Sequence, residues 1–109
     1  MNKTKRTRLA ARGWRVGSAN EFLELSPEEA AFVETRLALS QALRSRRLAQ
    51  GLTQGELARR LKSSQSRVAK MEAGDRTVSV DLLVKALFSL GAKPRDVGRA
   101  LQRRAGAAA

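Results

Sequence analysis

Cysteine and histidine are absent from this chain of 109 residues. Their absence removes a disulfide scaffold, a Cys/His zinc site, a thiol nucleophile and an imidazole general base from consideration. Aromatic residues are scarce, at 4% against 42% hydrophobic residues in all, so any core must be built from Leu, Val and Ala. No run of about 18 apolar residues is present to span a bilayer. The basic N-terminus is not followed by the apolar stretch of about 7–15 residues that a secretory signal needs. A chain without cysteine also fits a reducing compartment, so a cytoplasmic location is expected. Acids are outnumbered by bases, 10 to 22, leaving a net charge of +12. Such an excess opposes compaction and implies a polyanionic partner. Nucleic acid is the first candidate; an anionic membrane surface is second and is not favoured.

The charge is unevenly distributed. Lys3, Lys5, Arg6, Arg8, Arg12 and Arg15 occur in the first twenty residues without an acid among them. Residues 1–12 read as a mobile basic arm, either a nucleic-acid contact or a solvated tail. Trp14, Phe22 and Leu23 then mark a short apolar stretch that either folds back on the domain or docks on a partner. Around it the sign reverses: Glu21, Glu24, Glu28, Glu29 and Glu34 follow one another with no base between them.

From residue 26 onward the signals are helical. Ser26-Pro27-Glu28-Glu29 combines a cap, a first-turn proline and a capping-box glutamate. Phe32, Val33, Leu37, Leu39, Leu43 and Leu48 recur near a 3.6-residue period. The pattern predicts one long helix or two with a break near Ser40, ended by Gly51. Thr53 with Glu56 makes a second capping box, opening a helix whose Leu57, Ala58 and Leu61 face inward. Lys62-Ser63-Ser64 forms a turn short enough to set the next helix near a right angle. Ser64 caps that helix, Val68 and Met71 are its buried side, and Gly74 ends it. A fourth helix starts at Ser79 with Leu82, Leu83, Ala86, Leu87 and Leu90 inside. Pro94 opens a fifth, carrying Val97, Ala100 and Leu101 and ending near Arg104. The predicted organisation is a basic arm and apolar docking segment over residues 1–25, an all-α domain over 26–104 with its centre at 38–92, and a frayed tail at 105–109.

Arg47, Gly51-Leu52-Thr53-Gln54, Glu56-Leu57-Ala58, Leu61, Ser64-Gln65-Ser66, Val68, Met71-Glu72 and Gly74, with Ser79, Leu83 and Leu90-Gly91 beyond, resemble the XRE (Cro/C1-type) helix-turn-helix family. That family includes lambdoid phage repressors and many bacterial antitoxins. The resemblance implies a five-helix, lambda-repressor-like DNA-binding domain. It implies that Gln65, Ser66, Arg67 and Lys70 face base edges. Gln suits adenine, Lys suits guanine, and Arg67 suits guanine or a phosphate. It places Gln54, Lys62, Ser64 and Arg76 near phosphates, the first at a helix N-terminus where free N–H groups favour anions. Arg59 is a further candidate; Arg60 is as well explained by a solvated helix face. Arg47 and Glu72 are implied as a partly buried ion pair. One departure stands out: Lys62 occupies a turn position where the family usually has Gly.

Three functions are consistent with this reading. The leading one is a sequence-specific double-stranded-DNA-binding transcriptional regulator, a repressor acting as a homodimer on a palindromic operator. The alternative is an antitoxin of the HigA type, which would neutralise a basic RNA-cleaving toxin through Trp14, Phe22 and Leu23 and autoregulate its operon. Non-specific RNA or nucleoid binding through the arginines leaves Gln65 and Ser66 unexplained. No enzyme, cofactor or metal is expected: no carboxylate pair or phosphate-gripping glycine loop appears in a supporting context.

Overall fold

The computed structural model describes residues 25–108 of the chain, with side-chain environments through residue 103. The basic arm and the docking residues Trp14, Phe22 and Leu23 lie outside the described residues. The chain divides into two units, Met1–Val33 and Glu34–Ala109. Five helices follow in order: α1 Pro27–Ala49, α2 Gln54–Leu61, α3 Gln65–Ala73, α4 Val80–Ser89 and α5 Pro94–Ala108. No strand occurs among the described residues.

Each helix end is explained by local chemistry. In the first unit Ser26 Oγ accepts from the Glu29 N–H (3.1 Å), and Glu29 Oε1 accepts from the Ser26 N–H (2.9 Å). This reciprocal box satisfies two of the donors a helix start leaves orphaned. Within the second unit α1 ends in a Schellman turn. The Leu52 N–H reaches the Arg47 carbonyl and the Gly51 N–H reaches Leu48, with Gly51 left-handed at φ 71°. Thr53 and Glu56 repeat the reciprocal box at the start of α2. Ser64 and Ser79 cap α3 and α4 by accepting from the backbone three residues on. Gln50 lends its side-chain N–H to the Leu90 carbonyl at the end of α4 (2.7 Å).

The core is aliphatic, as the shortage of aromatics requires. Leu39 and Leu43 from α1, Leu57 and Ala58 from α2, and Val68 and Met71 from α3 are buried together with Leu83, Ala86 and Leu87 from α4. Ala58 is 3% exposed on the face where α2 meets α3, and a longer side chain there would force the helices apart. α1 runs through Ser40 without a break. Ser40 is buried and its hydroxyl has no hydrogen-bond partner. Its small size suits a tight contact with the end of α3, where a Cβ on Gly74 would stand 3.8 Å from Ser40 Oγ and 2.7 Å from Leu37 Cδ2. Gly74 is thus doubly constrained, by that approach and by φ 74°.

The expected apolar stripe on α1 is only partly buried. Phe32 and Leu48 are each 51% exposed. A 3.6-residue period marks side chains that share a helix face, but not which stretch of that face a neighbour covers. Leu101 also lies at the surface. The end expected for α5 near Arg104 moves to Ala108, in keeping with the high helix propensity of the alanines that follow.

Three carboxylates brace helix ends and turns, and each is held below its ordinary ionisation range. For Glu56 the main cause is the Thr53 N–H it accepts; for Asp75, the Thr77 hydroxyl; for Asp96, the Lys93 N–H. A carboxylate whose ionisation is lowered by folding contributes stability in full above its ordinary value and loses it as pH falls through the folded one. Those ordinary values are 4.5 for Glu56 and 3.8 for the two aspartates. The urea midpoint should therefore be level down to about pH 5 and fall below that, with Glu56→Gln shrinking the upper part of the fall. A wild-type midpoint unchanged across the whole acid range would remove these groups from the account.

Candidate nucleic-acid interface

α3 is anchored on one side and open on the other. Val68 and Met71 are fully buried, whereas Gln65, Ser66, Arg67 and Lys70 are exposed. The anchoring begins with Ser64, whose Oγ accepts from the Arg67 N–H at 3.1 Å. Ser64 Oγ also lies 3.4 Å from Ser66 Oγ. The first turn of α3 is therefore held by a cap while its outer side chains project.

Behind this face lies a buried ion pair. Arg47 Nε and Nη2 both donate to the Glu72 carboxylate, the second at 2.9 Å. The side chains are 8% and 3% exposed. Arg47 Nη1 donates to the Leu52 carbonyl at 2.7 Å. One guanidinium thus ties the end of α1 to the following turn and to α3. The hydrogen bonds to Glu72 raise the Arg47 pKa further above its usual range, so the guanidinium stays charged.

The pair has a third participant that sequence reasoning missed. Gln54 Nε2 donates to Glu72 Oε1 at 3.1 Å, and Gln65 Nε2 donates to Gln54 Oε1 at 3.1 Å. A carboxylate paired with a guanidinium only accepts, so Gln54 must turn its NH2 toward Glu72. Its carbonyl is then left for Gln65, which must present its own NH2. Gln65 is exposed and retains one N–H and its carbonyl oxygen, a donor and an acceptor on one amide. That is the arrangement that pairs with adenine N7 and N6. Gln54 and Gln65 stand at the first positions of two different helices. Nothing in linear spacing signals that they meet, and only the helix–helix packing brings them together.

Exposed cations lie on the turns before and after α3. Lys62 closes α2 in the left-handed region, φ 56° and ψ 47°, and is exposed. The neighbouring Ser63 N–H reaches the Ala58 carbonyl at 2.8 Å, so the turn has the geometry that Gly normally supplies. Arg76 is exposed in the turn after α3, which is closed by the Val78 N–H on the Asp75 carbonyl (3.0 Å) and by the Thr77 N–H on Asp75 Oδ1 (2.8 Å). Arg59 and Arg60 are exposed on α2. At the start of α2, a shallow concavity is lined by Gly51, Leu52, Thr53, Gln54, Gly55 and Gln65, with Arg47 and Leu48 at its edge. The first N–H groups of a helix are free to meet an anion there.

A family model described as helix-turn-helix matches residues 43–95, from the second half of α1 to the start of α5. No curated protein and no solved structure matches the chain.

Two stability measurements probe this construction. Arg47→Met should cost about 3–5 kcal/mol in urea unfolding because it leaves Glu72 buried without its partner. The double replacement Arg47→Met with Glu72→Leu should recover much of that loss, since no charge is then stranded. A single-variant loss below about 1 kcal/mol, the range of exposed pairs, would mean that water reaches the pair. Lys62→Gly should raise stability by about 1 kcal/mol by relieving a side chain at positive φ. No gain would show that the left-handed turn costs nothing here.

Proposed function

Because the chain carries a helix-turn-helix domain of the XRE type at residues 43–95, we propose that this DNA-binding regulator reads a specific duplex sequence and acts as a repressor, as a dimer on a palindromic operator in the bacterial cytoplasm. The observation that carries the reading is the braced amide of Gln65. It stands at the exposed start of α3, with its orientation set by Gln54 and Glu72. A side chain held in one geometry loses little freedom on meeting a base, so its donor–acceptor pair discriminates rather than merely adheres. Ser66, Arg67 and Lys70 extend the same outward face. Gln54, Lys62, Ser64 and Arg76 flank it as phosphate contacts that set register without reading sequence.

One short helix reaches few bases. Two copies related by a two-fold axis would double the contacts, on half-sites about 34–36 Å apart. The cations around the face predict strong salt dependence, through release of counterions from the phosphates they neutralise. A second role, neutralising a basic toxin as an antitoxin, draws support from Glu28 and Glu29, both exposed at the start of α1. The apolar residues Trp14, Phe22 and Leu23, which precede them in the sequence, add to it. The DNA-binding half would be the same in both roles.

In vitro selection from random duplexes, run with the native chain and with Gln65→Ala, tests the proposal. The native chain should enrich a palindrome. The variant should lose preference at one adenine position in each half-site, worth about 1–3 kcal/mol, with an unchanged unfolding midpoint. Equal affinity of the native chain for random and selected duplexes at physiological salt would overturn it.

A further inference from the structure

A second surface lies away from the α3 face. The C-terminal half of α1 meets the end of α4 and the first turns of α5 along an open groove. Its apolar lining is made mostly of small side chains, Ala42 and Ala49 from α1, Leu87 and Ala92, and Val97 and Ala100 from α5, with Ser45 and Gln50 beside them. Alanines leave a trough there that larger residues would have filled. The rim is cationic. Arg46 lies 3.6 Å and Arg99 3.3 Å from Asp96, and Arg103 has no ion-pair partner among the described residues. One carboxylate therefore pairs with two guanidiniums, and a third, Arg103, lies on the same lining. It also accepts the Lys93 N–H that opens α5 (2.8 Å), and its single negative charge leaves the lining net positive.

Both halves of this surface point to one kind of occupant. DNA would use the arginines but gain nothing from an apolar trough between them. A simple anion would likewise leave the trough unused. A helix with an apolar stripe flanked by carboxylates satisfies floor and rim together, in the manner of helix-in-groove recognition. We propose that the α1–α5 groove docks an acidic amphipathic helix of a partner protein, with its apolar side chains on the alanine floor and its carboxylates on Arg46, Arg99 and Arg103. The groove shares no residue with the outward face of α3 or with the turns carrying Lys62 and Arg76. The proposal therefore does not depend on the DNA reading, and partner and duplex can be held at once.

The test uses the full chain and a labelled synthetic helix of about 15 residues, the length at which an isolated helix becomes viable. The peptide is built from Glu and Ala with Leu at helical-face spacing, and is compared by fluorescence anisotropy with a scrambled peptide of the same composition. The striped peptide should bind about tenfold more tightly than the scrambled one. Arg103→Glu, which reverses a rim charge, and Ala49→Trp, which fills the floor at an exposed position, should each weaken it at least about fivefold. Arg60→Glu makes the same charge change on α2 and should stay within about twofold of the native chain. Thermal melts establish that each variant is folded. Equal binding of the two peptides, or equal weakening by Arg60→Glu and Arg103→Glu, would reduce the effect to general charge attraction and overturn the proposal. So would displacement of the peptide by duplex DNA. Self-association that Ala49→Trp abolishes, without any peptide binding, would assign the groove to a second copy and equally overturn it.

Discussion

The arrangement of α1, α2 and α3 depends on one buried guanidinium. Arg47 holds the Glu72 carboxylate on α3 and the Leu52 carbonyl before α2. A charge this deeply buried is tolerable only if it is matched, and Glu72 matches it with two hydrogen bonds. Because Glu72 also receives Gln54, and Gln54 receives Gln65, the constraint continues outward to the surface. A structural ion pair in the interior thus sets the orientation of an amide at the exposed start of α3. The same four side chains therefore connect the interior ion pair to the exposed start of α3.

The turns enclosing α3 solve a common geometric problem in different ways. Lys62 before it and Gly74 after it both adopt left-handed backbone. At Gly74 a side chain is excluded twice, by the backbone angle and by Leu37. Lys62 is exposed, so only the backbone penalty applies, on the order of 1 kcal/mol. That is a small cost for a cation positioned beside the exposed start of α3. The family preference for Gly at this position and the presence of Lys here are therefore compatible with one turn geometry.

Charge is organised by face. Arginines line the groove between α1 and α5, while Lys62, Arg67, Lys70 and Arg76 are exposed on α3 and on the turns that flank it in the chain. Among the described residues, exposed bases therefore occur on surfaces of different chemistry, one the polar outward side of α3, the other a trough with apolar lining.

The local rules of helix ends were legible in the chain itself. Ser26 with Glu29, Thr53 with Glu56, Ser64, Ser79, Gly51 and Gly74 mark their boundaries because capping acts over three or four residues, a range that sequence spacing displays directly. The same is true of the buried side of α3, Val68 and Met71. Periodicity misled where it was extended too far, at Phe32 and Leu48, because it records amphipathicity and not which stretch of a long helix meets a neighbour. The Arg47–Glu72 pair was expected only through family resemblance. The Gln54–Gln65 contact, the Gln50 bond to Leu90 and the approach of Arg46 to Asp96 were beyond reach. Each joins side chains on different helices, and their meeting is set by how the aliphatic core packs those helices together. Sequence alone determined most helix starts and stops and the buried side of α3, though not the end of α5; tertiary packing decided which polar side chains hold one another, because hydrogen bonds between distant residues exist only after the core has brought their helices within about 3 Å.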